Sequence, residues 1–349
     1  MSLRASILAA VTSLVVAGAA FGCGSSNDEA DSGTTAAAAT AADTTADSSA
    51  SDNEGLTVGL VLGNASPFYS SVQAGAQAEA DKLGVALTVQ APQKYDPVLQ
   101  TPMVDALTAR RVDAMVVSPT DPKAMIGPLQ RANDAGIPVV TIDTPVGDGD
   151  YEGGDVSFPV SLITSDNAGG GQTACEALIK EMGGRGKIFV EDVQPGVTSS
   201  DDRFRGCKRA VDATDGSVKI VGHGYCNEDS SKAAADVAAA LQRDPDITGI
   251  FGTDGYASDG VVQAVRQANV SDDVAVAYFD ARKAGADALR EGIVDLLIAQ
   301  QTTDMGAAGV RDAVAALNDE EVERLQTLGV KVITRENVDE PANQALIYG

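Results

Sequence analysis

Short runs of β-branched and aliphatic residues alternate with segments of helical period from Leu56 almost to the end of this chain, which is the pattern of parallel sheets covered by helices. Thr57 to Leu62 reads as a buried strand, Ser70 to Leu83 as a helix, Ala86 to Val89 as a strand and Val98 to Arg110 as the next helix. Ala114 to Ser118, Pro122 to Ala135 and Val139 to Asp143 repeat the unit. A polar, Gly-rich insertion from Gly147 to Phe158 interrupts the rhythm. It restarts with a helix from Asn167, strand Lys187 to Glu191, helix Arg203 to Ala213 and strand Val218 to Gly222. Lys232 to Gln242, Gly249 to Phe251, Gly260 to Gln267 and Val274 to Phe279 continue it. Two similar α/β halves leave a cleft. Ligands of open parallel sheets lie outside the carboxyl ends of the strands, so the polar residues just past each strand matter most.

The 349 residues carry 50 acidic against 25 basic side chains, a formal net charge of −25. Such a balance repels phosphate and argues against nucleic acid as a partner. The opening segment has Arg4 as a positive n-region and Ile7 to Val16 as an apolar run, shorter than the roughly 20 residues that span a bilayer. With Ala20-Phe21-Gly22-Cys23 it resembles a bacterial lipoprotein signal: residues 1–22 would be removed and Cys23 lipidated as a membrane anchor. Ala20 stands where leucine is usual, which leaves plain secretion with cleavage nearby as the alternative. Either way the expected location is the cell envelope, outside the cytoplasmic membrane. Residues 23–54 are nearly all Ala, Thr, Ser, Gly, Asp and Glu, too poor in apolar surface to offset the entropy of ordering, and read as a disordered tether.

Beyond Cys23 the cysteines are Cys175, Cys207 and Cys226. Cys207 and Cys226 straddle one helix-to-strand unit, so they are the preferred disulfide pair, needing the least rearrangement of chain. One histidine, His223, and no CxxC give zinc no ligand set, and no metal or cofactor is expected.

The strand ends carry a distinctive set: Ser66-Pro67-Phe68-Tyr69 after the first strand, Asp143 after the fourth, Arg203 where a helix begins, Asp254 after Phe251, Asp280 after Phe279 and Gln300 after Ile298. With Gly75-Ala76-Gln77-Ala78-Glu79-Ala80, Ser118-Pro119-Thr120-Asp121, the run from Ala135 to Asp143, Thr164-Ser165-Asp166-Asn167 and Arg203-Phe204-Arg205-Gly206, the chain resembles the ribose-type sugar-binding proteins of bacterial ABC importers. That family shares its fold with the sensor half of lactose-repressor-like regulators. The resemblance implies two lobes, 55–164 plus 301–328 and 165–300 plus 329–349, joined by three crossings that act as a hinge. It also implies that a monosaccharide or polyol is captured by lobe closure and delivered to an ABC permease, by a monomer that is not an enzyme. Carboxylates accept from sugar hydroxyls, Arg and Asn donate back, and an aromatic face covers C–H surface. Ser66, Phe68, Tyr69, Asp143, Arg203, Asp254, Asp280 and Gln300 are the ligand contacts it implies.

The chain departs from the ribose pattern in having Thr144 in place of arginine, Asp254 in place of asparagine, and no aromatic near Asn227 to Glu228, where Tyr225 or Tyr256 would have to substitute. The resulting acidic site widens the ligand class to hexoses, cyclitols and amine-bearing sugars. An Asp just past a strand is also a natural helix N-cap, the reading preferred for Asp166, and Arg205 reads as a surface residue. Two other functions compete. A sensory module feeding a receptor would use the same pocket. An exported enzyme would use Gly169-Gly170-Gly171-Gln172-Thr173-Ala174, which fits G-x-G-x-x-A with Glu191 beyond it, although no hydride chemistry accompanies it. Asp148 to Gly153 imitates a calcium loop but has Pro159 where the twelfth ligand belongs.

Overall fold

In the computed structural model, which describes residues 53–349, the alternation resolves into two six-stranded sheets. The signal peptide, Cys23 and nearly all of the tether expected from the sequence lie outside the described residues. The first half runs β1 (Thr57–Val61), α1 (Pro67–Leu83), β2 (Ala86–Gln90), α2 (Pro97–Arg110), β3 (Ala114–Val117), α3 (Ile126–Asp134), β4 (Val139–Ile142) and β5 (Leu162–Ser165). The chain continues through α4 (Asn167–Glu181), β6 (Gly186–Asp192), α5 (Thr198–Asp212), β7 (Val218–Tyr225), α6 (Ser230–Arg243), β8 (Ile247–Gly252), α7 (Gly255–Ala268), β9 (Ala275–Phe279), α8 (Lys283–Glu291) and β10 (Leu296–Ala299). It closes with α9 (Thr302–Leu317), β11 (Leu325–Leu328), β12 (Lys331–Ile333) and α10 (Pro341–Gln344).

The sheet orders are β11-β5-β4-β3-β1-β2 and β12-β10-β9-β8-β6-β7. All pairings are parallel except β12 against β10. Every residue of β3, β4 and β10 is buried, because helices cover both faces of each sheet, and this explains their unbroken apolar sequences. The chain passes from one sheet to the other after β5, after β10 and between β11 and β12.

Helices cross closely in both halves, α1 on α9 and α4 on α5, and glycine makes the approach possible. A Cβ on Gly171 would stand 2.0 Å from the Arg203 carbonyl oxygen, and one on Gly206 2.0 Å from that of Ala168. Gly75 and Gly306 play the same part between α1 and α9. The triple glycine that imitates a dinucleotide fingerprint is thus occupied by packing: Gly170 sits against Phe279 and Val330, Gly171 against α5.

That crossing overturns the expected disulfide. The bond joins Cys175 on α4 to Cys207 on α5, with Cα atoms 5.0 Å apart, and Cys226 is a buried free thiol. Sequence nearness of Cys207 and Cys226 does not help, since β7 carries Cys226 to the strand's far end, beneath Ala233 and Ala257. Helix starts also differ: α5 begins at Thr198, so Arg203 lies inside the helix, and α6 and α7 begin early because Asp229 and Asp254 cap them.

Candidate functional site

The loops at the carboxyl ends of both sheets enclose a cavity of about 90 Å³, room for a handful of waters at about 10–15 Å³ each and hence for one small ring. All eight residues singled out from the sequence line it: Ser66, Phe68, Tyr69, Asp143, Arg203, Asp254, Asp280 and Gln300.

Asp143 and Asp280 occupy matching places. Each follows a central strand, β4 and β9, and each N–H bonds to the neighbouring strand, Asp143 to the Ile163 carbonyl (2.8 Å) and Asp280 to that of Ile298 (2.9 Å). Both adopt left-handed backbone, φ 64° and 84°, a costly conformation for a residue with a side chain and one that concentrates at functional sites. Their carboxylates are held by protein donors. The Tyr69 hydroxyl donates to Asp143 Oδ2 (2.8 Å), with Ser118 Oγ 2.8 Å from the same hydroxyl. Gln300 Nε2 donates to Asp280 Oδ1 (2.6 Å) while Gln300 Oε1 accepts from Ser165 (2.8 Å), and the Gly255 N–H donates to Asp280 Oδ2 (2.9 Å). Tyr69 and Gln300 therefore orient the two acids as well as lining the wall.

Arg203 is fixed on three sides. Its Nε donates to Asn167 Oδ1 (2.9 Å), its Nη1 to the Thr253 carbonyl (2.8 Å), and its guanidinium lies 3.9 Å from the centre of the Phe279 ring. Nη2 takes part in neither bond, and Arg203 lines the cavity. Ser66 stands at the N-cap of α1 without making a capping bond, whereas Asp254 caps α7 by accepting from the Ala257 N–H (2.9 Å) and lines the cavity as well. Asp166 caps α4, and Arg205 pairs at the surface with Asp202.

Burial dominates the electrostatics. It raises the Asp143 carboxyl, a shift opposed by the Tyr69 hydrogen bond and the Arg203 charge and reinforced by Asp280. It pushes Asp254 up to about 7, against the Ala257 N–H and with help from Asp280 and Asp192. Burial thus disfavours the charged form at both Asp143 and Asp254.

Asn64, Tyr95, Ser199, Glu228 and Arg282 also line the cavity and were not singled out from the sequence. Asn64 sits two residues before Ser66 and Tyr95 follows β2, so the strand-end rule contained the signal for both. Of the two tyrosines weighed as the missing aromatic, Tyr256 lines the cavity, with Arg282 5.5 Å from its ring centre. Tyr225 lies against His223, which in turn stacks on Phe204 and bonds Asp192 (3.0 Å).

Two α/β lobes with a ligand-sized cavity between strand-end loops define a two-lobed solute-binding fold. The periplasmic binding protein domain matches residues 58–321, and the chain belongs to that family. The ribose import binding protein of Salmonella typhimurium strain LT2 is 30% identical over 281 residues, covering 80% of this chain and 91% of the relative. Among solved structures, an ABC transporter solute-binding protein from Agrobacterium vitis bound to alpha-D-tagatopyranose superposes with TM-score 0.82 at 35% identity, covering 84% of this chain and 99% of that one. A second solute-binding protein from Agrobacterium vitis, with bound D-fucose, gives TM-score 0.78 at 27% identity, covering 84% and 100%.

Proposed function

We propose that this protein is the substrate-binding component of an ABC importer, which captures one monosaccharide or related polyol outside the cytoplasmic membrane and delivers it to a permease. The observation that carries the reading is the matched pair of strand-end acids, Asp143 and Asp280, flanking the immobilised Arg203 in a cavity sized for one ring. Residues 55–164 with 301–328 form one lobe and 165–300 with 329–349 the other, and ligand held by both favours the closed arrangement by its differential contacts. Ser66, Phe68, Asp254 and the orienting pair Tyr69 and Gln300 complete the contact set. Cys23 carries the lipid that keeps this monomer at the membrane, a point checked by mass spectrometry of the exported N-terminus.

A thermal-shift screen of the purified protein against D-ribose, D-allose, D-tagatose, D-fucose, myo-inositol and an amino sugar tests the function. A ligand at a hundred times its Kd adds about 2.7 kcal/mol, which moves the midpoint by several degrees. A shift with one sugar or polyol that disappears in Asp143→Ala and Arg203→Ala supports the reading. Silence across the panel, or a response only to a compound without hydroxyls, overturns it.

A further inference from the structure

We propose that Glu228, in the cavity wall, is a latch: its carboxylate binds the opposite lobe directly and holds the cleft shut, with both oxygens engaged by protein donors. Glu228 follows β7 in the second half, yet both of its oxygens are taken by donors of the first half. Oε1 accepts from Asn64 Nδ2 in the loop after β1, and Oε2 accepts from the Tyr95 N–H after β2 (3.2 Å). Away from the three crossings, these are the side-chain hydrogen bonds among the described residues that join strand-end loops of one sheet to those of the other.

Both ends of the latch are anchored. Asn64 is buried, and its Oδ1 accepts from the Ser66 N–H (3.1 Å), which leaves the amide nitrogen facing Glu228. The Tyr95 hydroxyl donates to the Pro119 carbonyl (3.0 Å) and lies 2.8 Å from Thr144 Oγ1. On the other side, Cys226 and Asn227 donate their N–H groups to the Asp192 and Val193 carbonyls (2.8 and 2.6 Å), tying the turn to the end of β6. Asn227 and Glu228 are consecutive left-handed residues, φ 54° and 60°, and this conformation carries the carboxylate across the cleft.

The inference rests on the binding role proposed above and adds a consequence. A contact between lobes contributes to the closed state equally for every ligand, so it sets overall affinity and leaves the ranking of sugars alone. A residue touching the sugar would change the ranking.

The test measures calorimetric affinity for the two tightest sugars of the panel, and the ligand-free radius of gyration by small-angle scattering, in wild type, Glu228→Ala, Asn64→Ala and the double variant. Circular dichroism confirms folding, and Glu228→Gln, which keeps the size and one acceptor, replaces the alanine variant if that fails to fold. The latch predicts binding weaker on the order of tenfold for both sugars, with their ratio preserved. It also predicts a larger ligand-free radius, and a double variant no worse than Glu228→Ala. Unchanged affinity and radius, a changed ratio between the sugars, or additive losses in the double variant overturn it. If wild type binds no sugar, the binding role fails, and the ligand-free scattering still decides the latch.

Discussion

Glu191, the penultimate residue of β6, is fully buried and neither carboxyl oxygen has a hydrogen-bond partner. Burial, reinforced by the Asp236 charge and only partly offset by Lys232, pushes it up from 4.5 to about 8. Between those values the unfolded chain has released the proton that the folded chain still holds. Stability is therefore complete below pH 4.5 and falls as pH rises toward 8, by about 1.4 kcal/mol per unit for this one group. The loss attributable to Glu191 reaches about 3 kcal/mol at pH 7 and about 5 kcal/mol above pH 8. Glu191→Gln keeps the shape and removes the titration. Its amide leaves unpaired donors, but that cost does not vary with pH, so the difference between the two proteins isolates the carboxyl. The chain has no tryptophan, so urea unfolding is followed by helix circular dichroism at pH 4.5, 7 and 8.5. The variant should gain on wild type by about 3 kcal/mol between pH 4.5 and 7. Both proteins should share a further decline from Asp254, whose carboxyl burial raises to about 7. Parallel profiles for wild type and variant would refute the reasoning, because a solvated or paired Glu191 would titrate alike folded and unfolded.

Cys175→Ser should cost about 3–4 kcal/mol of stability, from the loop entropy of a 32-residue separation, and reductant should lower the wild-type midpoint equally. Peptide mapping after alkylation should find Cys226 labelled only once the protein is unfolded. Gly171→Ala places a methyl 2.0 Å from the Arg203 carbonyl oxygen and should lower the unfolding midpoint markedly, with a weaker sugar response because Arg203 moves with α5. Tyr69→Phe removes the donor to Asp143 Oδ2 and should weaken sugar binding by roughly tenfold, at a stability cost of about 1–2 kcal/mol, read by calorimetry and urea unfolding.

Hydrophobic period and strand-end chemistry are local properties. They are enough to read the αβ alternation and the buried strands such as Val139–Ile142, and to mark Asp143, Asp280 and Gln300 as strand-end residues; that these and Arg203 share one cleft is what the family resemblance implies, and all four line the cavity. The same local pattern carried Asp166 as a cap and Arg205 as a surface residue. What it did not contain were relations between residues far apart in the chain. The Cys175–Cys207 bond depends on how closely two helices cross, which glycines on both helices decide together. Tyr69 lines the cavity and is also the donor that orients Asp143, because its hydroxyl meets a carboxylate 74 residues away. Glu228 reads in sequence as a loop acid where an aromatic was expected, and it becomes a cross-lobe contact only when β7 carries it over Asn64 and Tyr95. Side-chain type and period set the elements and the kind of chemistry at their ends. Which donor meets which acceptor was decided by packing in three dimensions, where sequence distance has no bearing on contact.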